Sequence, residues 1–429
     1  MRRFEMDRRQ FNIGLASVML ASLAKPVLAQ IQSRSGRMVL FNSVGSSLTR
    51  WDVDVASATL TKRATIPVSS VVQYGWPHPS NKYLYVSSTD SERGSQTISG
   101  GAHFLTAFRL GADGTLSPHG QPQILRQRPI HNSVDQSGRF VLACYNAPPH
   151  LTVHRIKEDG TLGSAIDQPP NLELGIFCHQ IQATPSNHSV LMVTRGNNPS
   201  AQKPKGEPGA LKLFRFNDDD GKLSPLQSVG GGQSGDGYGP RHVDFHPSKP
   251  WVYVLVELQN QLHMHRMLGE GIEPAPAFKR SVTQFPPEAG IVQVAGAIHV
   301  HPRGHVVYAS NRVSATTVPV GAFPFKGGEN NIAVFAIDPV TGEPTPIQFV
   351  DPRGFHIRTF AIDPSGKLLI AASLAAMSVK EGGETRIVPA GLSVFRISDD
   401  GRLDFVRRYE VELGAGVQQM WVRAMTLPA

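Results

Sequence analysis

The chain has 429 residues, a formal net charge of +8 and only 18% charged side chains. No block of Lys/Arg concentrates the excess charge, which argues against a nucleic-acid-binding protein; the mild excess serves either solubility or a preference for small anionic molecules. Short alternating runs rich in Val, Ile, Phe and Tyr, with no long 3.6-residue periodicity after the first thirty residues, read as all-β.

The first element lies outside the fold. Asp7-Arg8-Arg9-Gln10-Phe11 precedes an apolar stretch from Ile13 to Leu23 and then Lys25-Pro26-Val27-Leu28-Ala29. A charged start, an apolar middle and a small-residue cleavage site make a signal peptide, and Arg-Arg-x-Phe resembles a twin-arginine export signal. The expected division is residues 1–29 as the leader and 30–429 as the mature domain. The leader would use the twin-arginine export machinery and deliver a folded protein to the periplasm. Its apolar stretch is too short for a stable membrane anchor.

From Met38 onward one module recurs. A second strand (Met38–Phe41, Tyr83–Val86, Phe140–Ala143, Val190–Val193, Val252–Leu255, Val306–Ala309, Leu368–Ala371) is followed by a third. The third strands read Leu48–Asp54, Leu105–Leu110, Leu151–Ile156, Leu211–Phe216, Leu262–Met267, Ile332–Ile337 and Leu392–Ile397. Copies recur at roughly 45 to 65 residues, the range of propeller blades. Six copies have an inner strand that ends in a turn at His78, Asp135, Thr184, His246, His301 or Asp363. The first copy has none, and Gln418–Met425 is left over at the other end. Lending that segment to the first repeat closes the ring and removes the exposed sheet edge. The predicted fold is a seven-bladed β-propeller of four-stranded antiparallel blades closed by the N- and C-terminal strands. Insertions at 91–102, 196–209, 313–330 and 375–390 would share one face of the disc. Cys144 and Cys178 either pair or serve as small core residues.

The repeat register shows which residues meet. The start of an inner strand and the end of a second strand are neighbours at one mouth of the central channel. Five residues before each turn stand Gln73, Ile130, His179, Arg241, Gly296 and Arg358. The next position holds Tyr74, His131, Gln180, His242, Ala297 and Thr359. Eleven residues after the turn stand Thr89, Asn146, Arg195, Glu257, Arg312 and Leu374. A carboxylate among arginines and histidines is costly to desolvate unless it is paired or functional. Asp244 and His299 lie two positions deeper, either lining the channel or bonding between blades. His78, His246 and His301, at the opposite face, read as turn-stabilising.

Gly239-Pro240-Arg241-His242-Val243-Asp244-Phe245-His246-Pro247 with Val256-Glu257-Leu258 resembles the lactonase family of seven-bladed propellers. Ala297–Pro302 with Ser310-Asn311-Arg312, and Phe360–Gly366, fit the same family. It includes a bacterial type of 6-phosphogluconolactonase and the fungal carboxy-cis,cis-muconate cyclase. The resemblance implies an acid/base pair at His179 and Glu257, and substrate-binding arginines at Arg241 and Arg312.

Lactone hydrolysis needs a base to activate water and donors for the tetrahedral oxyanion. His179 or Glu257 could be the base, and the other the acid. Arg241, Arg312, Arg195, Arg358, His242 and His131 could hold an anionic lactone or organic acid. Glu257 could instead tie blades together through Arg241 or Arg312. No cofactor or metal is expected: His263-Met-His265 and His299-Val-His301 sit at outer-strand and turn positions, and no phosphate-cradling Gly-x-x-x-x-Gly-Lys loop occurs. The expected activity is a metal-independent lactonase. A lactone-forming cyclase and a non-catalytic propeller that binds a partner through its long loops are the competing readings.

Overall fold

The alternation along each repeat produces the strands it predicts, because one apolar face per strand must pack against the next blade. The computed structural model describes residues 37–91, 101–198, 200–201, 204, 206–230, 237–287, 291–313, 324–325, 327–381, 384–414 and 416–428. The proposed leader therefore lies outside the described residues, as does most of the insertion at 91–102. Among the described residues there is no helix long and apolar enough to cross a membrane. From Arg37 onward the chain forms one compact unit.

Seven antiparallel sheets form the blades. Blade 5 shows the plan. Its innermost strand, Pro240–Phe245, pairs with Trp251–Val256 and that with Gln261–Leu268; the outer edge is split into Gly271–Ile272 and Phe278–Ser281. The innermost strands of blades 2, 3, 4, 6 and 7 are Val71–Pro77, Pro129–Val134, Cys178–Ala183, Gln293–Val300 and Ile357–Ile362. Blade 1 takes its innermost strand, Val422–Thr426, from the C-terminus; Val39 stands opposite Met425 and Phe41 opposite Arg423. The ring is thus closed by both termini, as the unmatched first repeat required.

Insertions of blades 6 and 7 join in a small extra sheet. Pro324–Phe325 pairs in parallel with Met377–Glu381, which turns back through Glu384–Val388. The repeat pattern carries no trace of it.

The core is not one central mass but seven layers, each between two neighbouring blades. Ile181 and Met192 of blade 4 pack with Phe140 and Leu142 of blade 3; Tyr253 and Leu255 of blade 5 pack with Ala309 and Phe335 of blade 6. The aromatic residue of the third-strand motif fills these layers, as Phe108, Phe214, Phe335 and Phe395 are all buried. Each fully buried side chain of this size stabilises by roughly 1.5–3 kcal/mol. Cys144 and Cys178 belong to one such layer and are both free thiols. Burial pushes the Cys178 thiol up to about 12 and raises the Cys144 thiol as well.

The turn histidines do more than support their own turns. His78, His246 and His301 each direct Nε2 at a glycine carbonyl of the next blade, on Gly138, Gly304 and Gly366, at 3.0, 2.9 and 2.8 Å. Nδ1 of the same ring accepts a backbone N–H of its own turn, from Ser80, Ser248 or Arg303. Gly304 has φ +75°, and a Cβ there would lie 2.4 Å from the His246 ring, so the site requires glycine. Asp135 and Asp363 at equivalent turns accept N–H groups from Phe140 and Leu368 of their own hairpins.

Candidate active site

A local irregularity aims the mouth residues. In blade 5 Pro240 pairs with Val256 and His242 with Leu255, so Arg241 is an extra residue in the innermost strand. The same register shift falls at His179, at Arg358 and at Gln73. Such β-bulges turn a side chain out of the regular alternation. With Ile130 in blade 3 and the shift across Gly296 and Ala297 in blade 6, six blades carry one at this step, and three of them place a His or Arg there.

The ends of three second strands meet these residues. Arg195, Glu257 and Arg312 come from equivalent positions in blades 4, 5 and 6. Glu257 is 5% exposed and faces three guanidinium groups. Arg312 donates Nη2 to Oε1 at 2.5 Å, Arg195 donates Nε to Oε2, and Arg241 Nε stands 3.4 Å from Oε1. Further contacts fix the arginines. Arg241 Nη1 donates to the Gly296 carbonyl of blade 6. Arg195 Nη2 donates to Asn198 Oδ1 at 3.0 Å, and Arg312 Nη1 lies 3.1 Å from His356 Nε2.

Burial pushes the Glu257 carboxyl up, but Arg195, Arg312 and Arg241 together outweigh it and hold it at about 2. It is ionised at neutral pH, with its oxygens turned to cations. Taking an ion pair out of water succeeds only when such partners satisfy it.

The imidazoles show the opposite balance. Burial, then Arg241 and His242, push His179 well below its ordinary value. Burial, then Arg241 and His131, do the same to His242. His131 is held down at about 3 by burial and Arg241. All three are neutral at neutral pH. The His179 and His242 rings meet edge to face with centroids 5.0 Å apart; His131 lies 6.1 Å from His242 and 4.0 Å from the Tyr74 ring. Nδ1 of His179 and Nε2 of His131 are buried without a hydrogen-bond partner among the described residues. Arg358 is buried near enough to depress both His179 and His242.

The fold therefore brings His179, Glu257, Arg241, Arg312, His242, Arg195, Arg358 and His131 to one mouth. Two members escaped the sequence reading. His356 precedes the repeated strand frame and adopts φ +53°, a conformation no strand pattern signals. Asn198 lies in an insertion. Among the described residues no group of three or more His, Cys, Asp or Glu side chains is arranged to hold a metal ion.

Fold and mouth together define a class: a closed seven-bladed propeller with a buried carboxylate–arginine cluster beside neutral imidazoles. The family model described as "Lactonase, 7-bladed beta-propeller" matches residues 40–380, and the chain belongs to that family. It is 30% identical to a 6-phosphogluconolactonase of Cronobacter sakazakii over 318 residues, 73% of this chain and 80% of the relative. It is 25% identical to a 6-phosphogluconolactonase of Erwinia tasmaniensis over 87% of this chain and 93% of that one. Among solved structures, the periplasmic gluconolactonase of Pseudomonas aeruginosa superposes with a TM-score of 0.64 at 16% identity, covering 91% of this chain and all of that one. A Lactobacillus plantarum protein gives 0.67 at 17%, covering 91% and 99%. These two likenesses bear on the fold alone.

Proposed function

We propose that the protein is a hydrolase that opens a small anionic lactone at this mouth. The observation that carries the reading is His179: a neutral, buried imidazole with a ring nitrogen that has no hydrogen-bond partner among the described residues, set among guanidinium groups. Relatives named 6-phosphogluconolactonase, matched over most of their length, support the reaction class.

His179 takes a proton from water as the water oxygen bonds to the lactone carbonyl carbon. Negative charge gathers on the carbonyl oxygen, where Arg241 and Arg312 stabilise it. The ring C–O bond then breaks, and the imidazolium returns the proton to the departing alkoxide. Water and lactone become one hydroxy acid. Arg195 and Arg358 hold an anionic group of the substrate, with His242 and His131 shaping the inner wall. Glu257, saturated with cations, acts by holding the arginines in place, whereas the neutral His179 carries the proton.

The leader at residues 1–29 directs the protein out of the cytosol in this proposal. A non-phosphorylated aldonolactone or an organic-acid lactone is then a better substrate than the cytosolic sugar phosphate. An acid-release assay should find turnover of glucono-1,5-lactone above the spontaneous rate. Equal rates with and without protein on that lactone, its 6-phosphate and muconolactone would remove the enzyme reading and leave the partner-binding one. Replacing Arg8 and Arg9 by Lys should keep the protein in the cytosolic fraction; unchanged export would refute the leader.

A further inference from the structure

The register that gathers the mouth residues also gathers a second ring, two positions before each turn. Pairing in blade 1 puts Arg423 opposite Phe41, and in blade 5 Asp244 stands opposite Tyr253. Carried round the disc, that position holds Arg423, Trp76, Ser133, Gln182, Asp244, His299 and Ala361. It lies one step deeper in the channel than Tyr74 and than His131 and His242, the innermost residues of the mouth.

A cavity of about 400 Å³ occupies this level. Its lining runs from Tyr74 and His242, at the inner edge of the mouth, to Pro302 and Pro364 at the turns. It therefore reaches toward the face opposite the mouth. Arg423, Trp76, Gln182, Asp244 and His299 all line it. None of them has a part in the lactone-opening step.

The donors and acceptors here are specific. The Arg423 guanidinium carbon lies 5.2 Å from the centre of the Trp76 ring. Among the described residues no carboxylate stands within ion-pairing distance of it. Asp244 Oδ2 accepts the Val300 N–H at 2.8 Å and lies 3.6 Å from His299 Nδ1; Oδ1 accepts the Phe245 N–H at 3.0 Å. The Asp244 and His299 side chains each keep 25% exposure, so both face the cavity. His299 is fixed edge-on against Phe360, with centroids 4.9 Å apart. A guanidinium on an indole face suits a carboxylate. A carboxylate and an imidazole across the same space suit hydroxyl groups.

We propose that this ring is a second ligand site that binds a short polyhydroxy carboxylate, the chemical class of an opened sugar lactone. Arg423 takes the carboxylate, Asp244 and His299 take hydroxyls, and Trp76 covers a C–H face. In identifying the occupant as a product of the mouth, the proposal rests on the lactone-opening reading. The site's chemistry does not depend on it.

D-Gluconate is the probe, followed by calorimetry and by quenching of tryptophan fluorescence. In Arg241→Gln, where the mouth is crippled, gluconate should still bind at one site per chain. Arg423→Met in that background should weaken this binding at least tenfold, and Arg423→Lys should restore part of it. Trp76→Phe should abolish the quenching and weaken binding less. Thermal unfolding checks that each variant is folded, and His299→Ala gives an independent second loss. Binding that survives both Arg423→Met and His299→Ala, or no saturable binding in Arg241→Gln, overturns the proposal. Gluconate binding that depends on Arg423 in a protein that opens no lactone would keep the site and sink the hydrolase reading. Lactone turnover without such binding would do the reverse.

Discussion

Two sets of histidines sit at opposite ends of the innermost strands, on different blades, and they differ in what their ring nitrogens meet. At the turns, His246 and His301 are satisfied at both nitrogens, one by their own hairpin and one by a glycine carbonyl of the next blade. At the mouth, His179 and His131 each leave a buried nitrogen without a hydrogen-bond partner among the described residues. A buried polar atom left open is costly, about 1–3 kcal/mol. The turn set repays its burial in blade-to-blade cohesion, and the mouth set keeps that capacity for a ligand. Residue type alone teaches nothing here; satisfaction of the ring does.

The contrast can be broken by substitution. His179→Ala should lower kcat for lactone opening about 10²–10⁴-fold, the usual worth of a positioned general base, with little change in melting temperature. Glu257→Gln removes the buried carboxylate that Arg195, Arg241 and Arg312 share and should cost about 3–5 kcal/mol in chemical denaturation. Its activity should fall with stability because the arginines disperse. A Glu257→Gln protein of wild-type stability would show that the carboxylate does not hold the cluster.

His246→Ala should destabilise by about 1–3 kcal/mol through the orphaned Gly304 carbonyl and turn N–H groups, and leave kcat within a factor of about two. Loss of activity at unchanged stability would reverse the assignment of the two faces.

The pH dependence sharpens the same contrast. His179 is depressed first by burial and then by Arg241, and it acts as a base only when neutral. Activity should hold across neutral pH and fall on acidification through that depressed value. Arg241→Gln removes one of the depressing charges, so the acid limb of its residual activity should move to higher pH. An unmoved limb would mean that His179 is not the titrating group. Stability should follow the same sign. The unfolded chain binds protons at His131, His179 and His242 near pH 6.5 and the folded chain does not, so stability falls as pH drops below that value.

Much of this was legible in the sequence. Strand alternation and the spacing of the turns define the blades, and the unmatched Met38–Phe41 repeat demanded a partner from Gln418–Met425. Register alone brought Arg195, Glu257 and Arg312 together, because equivalent strand ends must meet at the channel. The β-bulges at His179, Arg241 and Arg358 were not legible: an extra residue changes where a side chain points without changing the residue pattern. Nor was the saturation of Glu257, which depends on angstrom-level approach of three side chains. Arg423 lay in a segment recognised as the closing strand, but its depth in the channel follows only from its pairing with Phe41.

The central claim is that a neutral His179 performs the proton transfer at the mouth. It is tested most directly by kcat/KM for glucono-1,5-lactone in folded His179→Ala against wild type at neutral pH. A fall of about a hundredfold or more is the result predicted. Wild-type kcat/KM in His179→Ala would contradict it.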